Sequence, residues 1–211
     1  MHKASRQLVP RAVRRSDIRK LGRRLSEGEH HHVDLTFLAS YLLCWVPKYD
    51  LCGQGNLQPF VTFQVMRDAL NATGRHFVYS FEPQTLRGQP VEWPPYVGNL
   101  FRTAADMGPY FGAANRDALL SNAWLSVATK GGWTDPGYLE VGNAPQLFNV
   151  SESRSMFAIW CILKCPLLIA ADLATISAEH LKVLLSKELI AINQDPLAHI
   201  GRLVSTSIVC V

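Results

Sequence analysis

The pattern of apolar and polar residues after residue 33 divides the chain into alternating strands and helices. The first predicted strand is the apolar run 41–46, which leads into Lys48 and Asp50 before Gly53 interrupts the pattern. A buried parallel strand has this pattern when it carries a carboxylate at its carboxyl end. Taken alone, the same stretch also fits a surface turn with an incidental lysine and aspartate.

The later elements repeat the alternation of strand and helix. In chain order they are a helix over 59–72 closed by Gly74, a strand over 76–82 ending at Glu82, a short helix near 97–101, a strand over 102–106 ending at Asp106, a helix over 113–125, a strand tip at 131–136, a helix over 151–163, a strand over 165–170 and a last helix over 177–187. Ser151 and Ser177 are the predicted N-caps of the last two helices, although Arg154 stands where a capping box would have Glu.

Strand–helix pairs with acidic residues at the strand ends predict a parallel sheet with crossover helices. Reaction centres of α/β barrels lie at such carboxyl ends. Five predicted strands are too few for a closed eight-stranded barrel. Either three strands are missing from the sequence or the sheet is open.

The net charge of +4 is unevenly distributed along the 211 residues. Residues 1–33 hold nine Lys or Arg against three acids, a balance of +6, whereas the other 178 residues hold twelve against fourteen, a balance of −2. The basic leader fits a targeting peptide, a nucleic-acid-binding arm, a disordered segment or a translated non-coding stretch. Because the body is slightly acidic and has no nucleic-acid-binding motif, we expect no nucleic-acid partner.

Neither a membrane span nor a metal site is expected. No run of 18 or more apolar residues occurs. The five cysteines form no CxxC or zinc pattern, and Cys161 and Cys165, one helical turn apart, fit buried thiols. Three adjacent histidines, 30–32, cannot all face one ion from regular structure.

Six runs, in order, resemble glycoside hydrolase family 27, the melibiase-like α-galactosidases. They are Lys48-Tyr-Asp50-x-Cys52, Ala69-Leu-Asn-Ala-Thr-Gly-Arg75, Arg102-Thr-Ala-Ala-Asp106, Gly131-Gly-Trp-Thr-Asp135-Pro136, Pro166-Leu through Ser177, and Ile192-Asn-Gln-Asp-Pro-Leu197. The resemblance covers residues 34–200 and implies strands four to eight of a (β/α)8 TIM barrel. It divides the chain into a basic, unstructured leader (1–33), a partial barrel (34–200) and the start of a C-terminal region (201–211).

The resemblance implies that Asp50 is the nucleophile and Asp106 the general acid/base of a retaining glycosidase, which needs two carboxylates about 5–5.5 Å apart. It makes Lys48 and Arg102 sugar-binding cations beside these acids. Glu82 matches the position that reads the 2-position of the sugar, where the related N-acetylgalactosaminidases have smaller residues.

The resemblance further implies that Trp133 and Asp135 line or buttress the site. Other interpretations remain open for three of the residues: Asp106 as a helix cap, Arg102 in a surface ion pair and Trp133 in the core. The implied substrate is an α-galactoside, a homodimer is the implied assembly, and no cofactor is required because both catalytic groups are protein carboxylates. The family is secreted, lysosomal or vacuolar, but no signal peptide is visible, so localisation is left open.

The sequence also departs from the family. Gly137 stands where the family has an acid, and Phe81 stands where a cysteine pairs with the one at Cys52. The family's first three strands and its β-sandwich have no counterpart. We therefore expect the chain to fold poorly or act feebly alone. The alternatives to an α-galactosidase are an inactive barrel fragment that binds sugar or a partner, and an α-N-acetylgalactosaminidase-like enzyme.

Overall fold

The computed structural model of the chain describes residues 46–50, 59–83, 90–108, 110–143 and 148–205. At its centre four short parallel strands pair in the order of the sequence. These strands are β1 (Lys48–Tyr49), β2 (Ser80–Phe81), β3 (Leu100–Arg102) and β4 (Trp133–Asp135). The helices are α1 (Pro59–Ala72), α2 (Phe111–Ala123), α3 (Val150–Ile162), α4 (Ala178–Leu184) and α5 (Lys187–Asn193), with a 3₁₀ helix over Pro94–Tyr96.

Parallel pairing continues beyond β4. The Leu139 amide donates to the carbonyl of Leu168 at 2.7 Å, and the Ala170 amide donates to the carbonyl of Leu139 at 3.0 Å, which pairs Leu139 with Ile169 in parallel. Each described strand therefore lies beside the next one in the sequence. That order is typical of a (β/α) barrel and differs from a doubly wound sheet, in which the strand order reverses.

Aromatic rings cover the helix side of the first three strands. Phe81 and Phe101 are paired residues of β2 and β3, and both are fully buried. The ring of Phe63 from α1 lies 4.9 Å from that of Phe81, and the ring of Trp124 lies 5.9 Å from that of Phe101. Since side chains alternate across a strand, the residues before and after Phe81 and Phe101 project to the opposite side of the sheet.

A second buried cluster lies under α3. Its members come from α2, α3, α4 and the paired segments around Leu139 and Cys165; they include Ala114, Leu139, Val141, Phe148, Met156, Phe157, Trp160, Cys161, Cys165, Val183 and Leu184. Cys161 and Cys165 are buried and unpaired, as predicted. Burial raises the pKa of the Cys161 thiol to about 11, so this cysteine behaves as an apolar core residue.

Helix α1 occupies the predicted 59–72, and Gly74, with a φ of +68°, closes it as expected. Several other predictions were wrong in detail. The strand predicted over 76–82 is the two-residue β2. The predicted helix near 97–101 is the 3₁₀ helix 94–96 followed directly by β3, because Pro94 and Pro95 start the turn earlier. Strand β3 covers 100–102 and not 102–106. The predicted strand over 165–170 contributes only the bridge at Ile169.

Two further corrections concern the last helices. Asn149, and not Ser151, caps α3: its side chain accepts hydrogen bonds from the amides of Ser151 and Glu152 at 2.9 Å each. The Asn149 amide in turn donates to the Glu152 carboxylate at 2.9 Å, so a complete capping box is present. Ser177 caps α4 as predicted, but the expected helix over 177–187 is divided at Leu185 and Ser186 into α4 and α5.

Several predictions fall outside the described residues. These include the leader 1–33, the histidines 30–32, the strand approach 41–45, and the cysteines at 44, 52 and 210. The division of the chain into leader, barrel and C-terminal region stays a prediction.

Candidate active site at the carboxyl end of the sheet

Four polar residues lie level with one another at the carboxyl ends of the described strands. Tyr49 pairs with Phe81 and Phe81 with Phe101, so the next residues, Asp50, Glu82 and Arg102, are level with one another. Arg102 pairs in turn with Asp135. Because Phe81 and Phe101 face the helices, these four residues project to the opposite side, which is the interior of a barrel.

Lys48 and Asp50 form an ion pair at the end of β1. The two residues are separated by one position and therefore share a strand face. Their side chains are 30% and 44% exposed, so the pair is accessible from solvent. The Glu82 amide donates to the carbonyl of Tyr49 at 3.3 Å, which fixes the backbone of Glu82 beside that of Asp50.

Arg102 is the centre of the interactions at the end of β3. Its side chain is 5% exposed, whereas that of Asp106 is 99% exposed. The guanidinium donates to an Asp106 carboxylate oxygen at 3.3 Å and to the carbonyls of Ala104 and Ala105 at 3.2 and 2.9 Å. Arg102 therefore holds the turn that carries Asp106, while the Asp106 carboxylate remains open to solvent.

Asp135 is buried at the end of β4 and accepts a hydrogen bond from the amide of Gly137 at 2.9 Å. Burial raises the pKa of Asp135, while the charge of Arg102, the Gly137 hydrogen bond and the charge of Lys48 oppose the increase. Two strands lie between β1 and β4, and the strand register places Lys48 and Asp135 on the same side of the sheet.

Gly137 and Phe81, the two residues that depart from the family pattern, each have a defined structural environment. Gly137 has a φ of +117°, a conformation that favours glycine, and its carbonyl accepts the indole N–H of Trp160 at 3.1 Å. A Cβ added at Gly137 would lie 3.6 Å from an Arg102 nitrogen. Phe81 is fully buried among aromatic rings. A buried aromatic ring thus occupies the position where the family has a cysteine.

Trp133 lies one strand repeat before the level of the four acidic and basic residues. It is the first residue of β4 and is level with Lys48, on the side of the sheet that also carries Asp135. It lines a cavity of about 270 Å³, together with Lys130, Lys164, Asn193 and Asp195. The contact of Trp133 with a sugar stays a prediction.

Sequence reasoning missed a charged pair behind Asp106. Asp117 on α2 is fully buried, and it accepts a hydrogen bond from Nε of Arg116 at 2.7 Å. Another Arg116 nitrogen donates to the backbone carbonyl of Asp106 at 3.4 Å. The signal was present in the sequence, because Asp117 lies on the face of α2 that also carries Ala113, Ala114, Ala118 and Ser121.

Among the described residues, no group of three or more His, Cys, Asp or Glu side chains is arranged to hold a metal ion. Within the same residues, every helix is too short or too polar to cross a membrane.

Comparison with known proteins identifies the class and then the family. Parallel strands that pair in the order of the sequence, each followed by a helix, are part of a TIM barrel. Residues 28–195 match the family model described as Melibiase_2, alpha galactosidase A. The chain therefore belongs to this family, the melibiase-like glycoside hydrolases of family 27, and the resemblance inferred from the six runs is confirmed.

Curated relatives agree with this assignment. The chain is 39% identical over 173 residues to alpha-galactosidase 3 of Arabidopsis thaliana, and that alignment covers 82% of this chain and 39% of the relative. It is 32% identical over 178 residues to the alpha-galactosidase of Oryza sativa subsp. japonica, covering 84% of this chain and 42% of the relative. The chain thus spans about two fifths of the length of these relatives.

Solved structures show the same partial coverage. Alpha-galactosidase I from Mortierella vinacea superposes with a TM-score of 0.66 at 26% identity, covering 80% of this chain and 48% of that chain. The alpha-galactosidase from Saccharomyces cerevisiae, solved with raffinose, superposes with a TM-score of 0.67 at 25% identity, covering 76% and 41%. These matches confirm the predicted partial barrel.

Proposed function

We propose that this chain is the catalytic part of a retaining glycoside hydrolase that removes terminal α-D-galactosyl residues from galactosides. One observation carries the proposal. The carboxyl ends of four adjacent strands place four polar side chains at one level and on one side of the sheet, namely Asp50, Glu82, Arg102 and Asp135. Membership of the family supplies the class of reaction. The relatives from Arabidopsis thaliana, Oryza sativa and Mortierella vinacea are alpha-galactosidases, which supports galactose as the sugar that is removed.

Asp50 is the proposed nucleophile and Asp106 the proposed general acid/base. The Asp50 carboxylate attacks the anomeric carbon while the glycosidic C–O bond breaks, and Asp106 gives its proton to the departing oxygen. Water then attacks the same carbon and transfers a proton to Asp106, and the ester bond to Asp50 breaks. Both protein groups return to their starting states, so no cofactor is consumed.

The environments of the two acids suit these roles. The Lys48 ammonium contacts Asp50 and places a positive charge beside the carboxylate that is the proposed nucleophile. The solvent-exposed carboxyl of Asp106 can exchange protons with water and reach a leaving group. Bound sugar hydroxyls would meet the cations of Lys48 and Arg102. Glu82, level with the nucleophile, would accept a hydrogen bond from the 2-hydroxyl of galactose.

The test is the hydrolysis of 4-nitrophenyl α-D-galactoside by the purified 211-residue chain. Only slow turnover is expected for the unaltered chain, because it spans about two fifths of the length of its relatives, and this turnover should be lost in Asp50→Asn. The control is Asp68→Asn, which removes an exposed acid on α1, 64% exposed and bonded to the neighbouring Arg67. Turnover that survives Asp50→Asn would contradict the proposal.

A second candidate function is sugar binding without hydrolysis. It is favoured by Gly137, where the family has an acid in the site. Two measurements together distinguish the candidates. A binding fragment would bind galactose in a calorimetric titration but would release no nitrophenol from the nitrophenyl galactoside. The implied homodimer is also a proposal, and light scattering would report twice the chain mass of 23.5 kDa if it is correct.

A further inference from the structure

An apolar groove lies between α2 and α3 and contains a cavity of about 390 Å³. We propose that residues 208–211, Ile-Val-Cys-Val, fold back onto this groove and cover it. These four residues lie outside the described part of the chain. The inference concerns the packing of the outer helices, so it goes beyond the proposed hydrolysis and does not depend on it.

The groove is lined mainly by aliphatic side chains. Leu119 on α2, Ile162 at the end of α3 and Leu203 line the cavity and are between 46% and 52% exposed. Ala118 and Leu163 line the same cavity and are buried. Half-exposed aliphatic side chains around one cavity favour an apolar occupant, because covering them removes apolar surface from water.

The segment 201–203 already crosses the groove from one helix to the other. The Gly201 amide donates to the carbonyl of Ile162 at 3.0 Å, and the Leu203 amide donates to Oδ1 of Asn122 at 2.8 Å. A Cβ added at Gly201 would overlap Cγ2 of Ile162, so this close approach to α3 requires glycine. The backbone is therefore fixed against both helices at the edge of the cavity.

The sequence after this segment has the pattern of a turn followed by a strand. Val204 is almost fully exposed, so the chain leaves the groove at this residue. Ser205-Thr206-Ser207 follow, and hydroxyl residues favour turns because their side chains bond to the neighbouring backbone. Residues 208–211 are apolar and three of them are β-branched, which favours an extended strand. Four extended residues span about 13 Å and packed helices lie about 8–10 Å apart, so this strand is long enough to cross the groove.

The covalent connection favours this occupant over a second copy of the protein. A segment joined to its site by a short linker is held there at an effective concentration in the millimolar range, roughly a thousandfold above that of a second copy at micromolar concentration. Residues 206–211 contain no charged side chain, and among the described residues Arg202 alone brings a charge to the cavity lining. Docking of the segment therefore adds no charge to the groove.

The experiment is a methyl NOE measurement on the full chain, labelled with ¹³C at the methyl groups of isoleucine, leucine and valine. Docking is expected to give NOEs from the methyl groups of Ile208 or Val209 to those of Leu119 or Ile162, because these groups would be in contact. A second sample mixes labelled with unlabelled chain, so that an isotope filter selects NOEs between copies. Absence of the NOEs, or their appearance between copies, would overturn the inference.

Leu119→Glu tests the groove side of the same contact. A carboxylate at this exposed position disfavours an apolar neighbour, so the NOEs from Ile208 and Val209 to Ile162 should be lost. Leu181→Glu is the matched control, because Leu181 is a partly exposed leucine of α4 outside the groove, and it should keep these NOEs. Retention of the NOEs in Leu119→Glu, or their loss in both variants, would contradict the docking. If Leu119→Glu does not fold, the NOEs of the unaltered chain still decide.

Discussion

Two lysine–aspartate pairs lie at opposite ends of the sheet, and their surroundings differ. At the carboxyl end, Lys48 and Asp50 are 30% and 44% exposed. At the amino end, Lys164 is 3% exposed, with its ammonium 3.8 Å from Asp195 and also donating to the carbonyl of Ile192. Both members of the first pair are open to solvent, whereas in the second pair the lysine is enclosed by protein and only Asp195, at 37%, is exposed.

The enclosed pair belongs to a structural joint. Lys130 donates to the carbonyl of Pro196 at 3.2 Å, and Asn193 donates to the carbonyl of Cys165 at 2.9 Å. Together with Lys164, these bonds tie the segment after α5 to the beginnings of the last strands. The run from Ile192 to Leu197, one of the six that indicated the family, therefore serves the fold at the end of the sheet remote from the carboxylates. The comparison shows that the exposure of the lysine distinguishes the ion pair proposed to act on a substrate from the one that holds the fold together.

The largest expected effect tests the open pair. Asp50→Asn should reduce hydrolysis of 4-nitrophenyl α-D-galactoside by about 1,000-fold or more, because an amide cannot form the glycosyl ester. Initial rates of nitrophenol release measure this effect. A reduction of only a few fold would place the nucleophile elsewhere and remove the proposed distinction between the two pairs.

Asp106→Asn should have the next largest effect. Loss of proton transfer is expected to lower the rate by about 100-fold for substrates with poor leaving groups, such as raffinose. The loss should be smaller for a nitrophenyl galactoside, whose leaving oxygen needs less protonation. Equal losses on both substrates would contradict an acid/base role for Asp106.

The enclosed pair predicts a change in stability. Lys164→Met should lower the free energy of unfolding by about 2 kcal/mol, because the Ile192 carbonyl and the Asp195 carboxylate lose a buried partner. Urea denaturation followed by tryptophan fluorescence measures the change. Lys182→Met, at an exposed lysine in the last turn of α4, is the control and should have little effect. Similar stability of the two variants would contradict the structural role of Lys164.

The smallest effect concerns the choice of sugar. Glu82→Ser should raise the ratio of N-acetylgalactosaminide to galactoside hydrolysis by about 10-fold, since a smaller side chain makes room at the 2-position of the sugar. Parallel assays with the two nitrophenyl glycosides measure this ratio. Glu92→Ser, which changes an exposed acid before the 3₁₀ helix, serves as the control. An unchanged ratio in Glu82→Ser would remove Glu82 from substrate selection.

Local sequence was sufficient for much of the fold. The helix over 59–72 was predicted because its apolar period and the following glycine agree, and the parallel sheet was predicted because apolar runs repeatedly end in acids. Caps and boundaries were harder. Ser151 is the predicted cap of α3, but Asn149 is an equally good cap type, and only its bonds with Glu152 identify it as the cap. The last helix was predicted as one element because its pattern continues through the break at Leu185 and Ser186.

The family resemblance predicts which residues form the candidate site, but not where their side chains lie in the fold. Nothing local to Trp133 indicates that it lines a cavity of about 270 Å³. The burial of Asp117 is not expected from its residue type, because an acid on a helix is usually solvated. It becomes buried only when α2 packs against the end of β3. These features arise from contacts between residues that are distant in the sequence.

The sequence by itself determined the order of strands and helices, the acids at the strand ends and the membership of the family. These properties are encoded in local patterns and in the types of residues. The tertiary structure alone decided which acids share a level, which lysine is enclosed and which carboxylate lies behind Asp106. The physical reason is that strand register sets level and face, while burial is set by neighbouring elements, and neither is a property of a single segment.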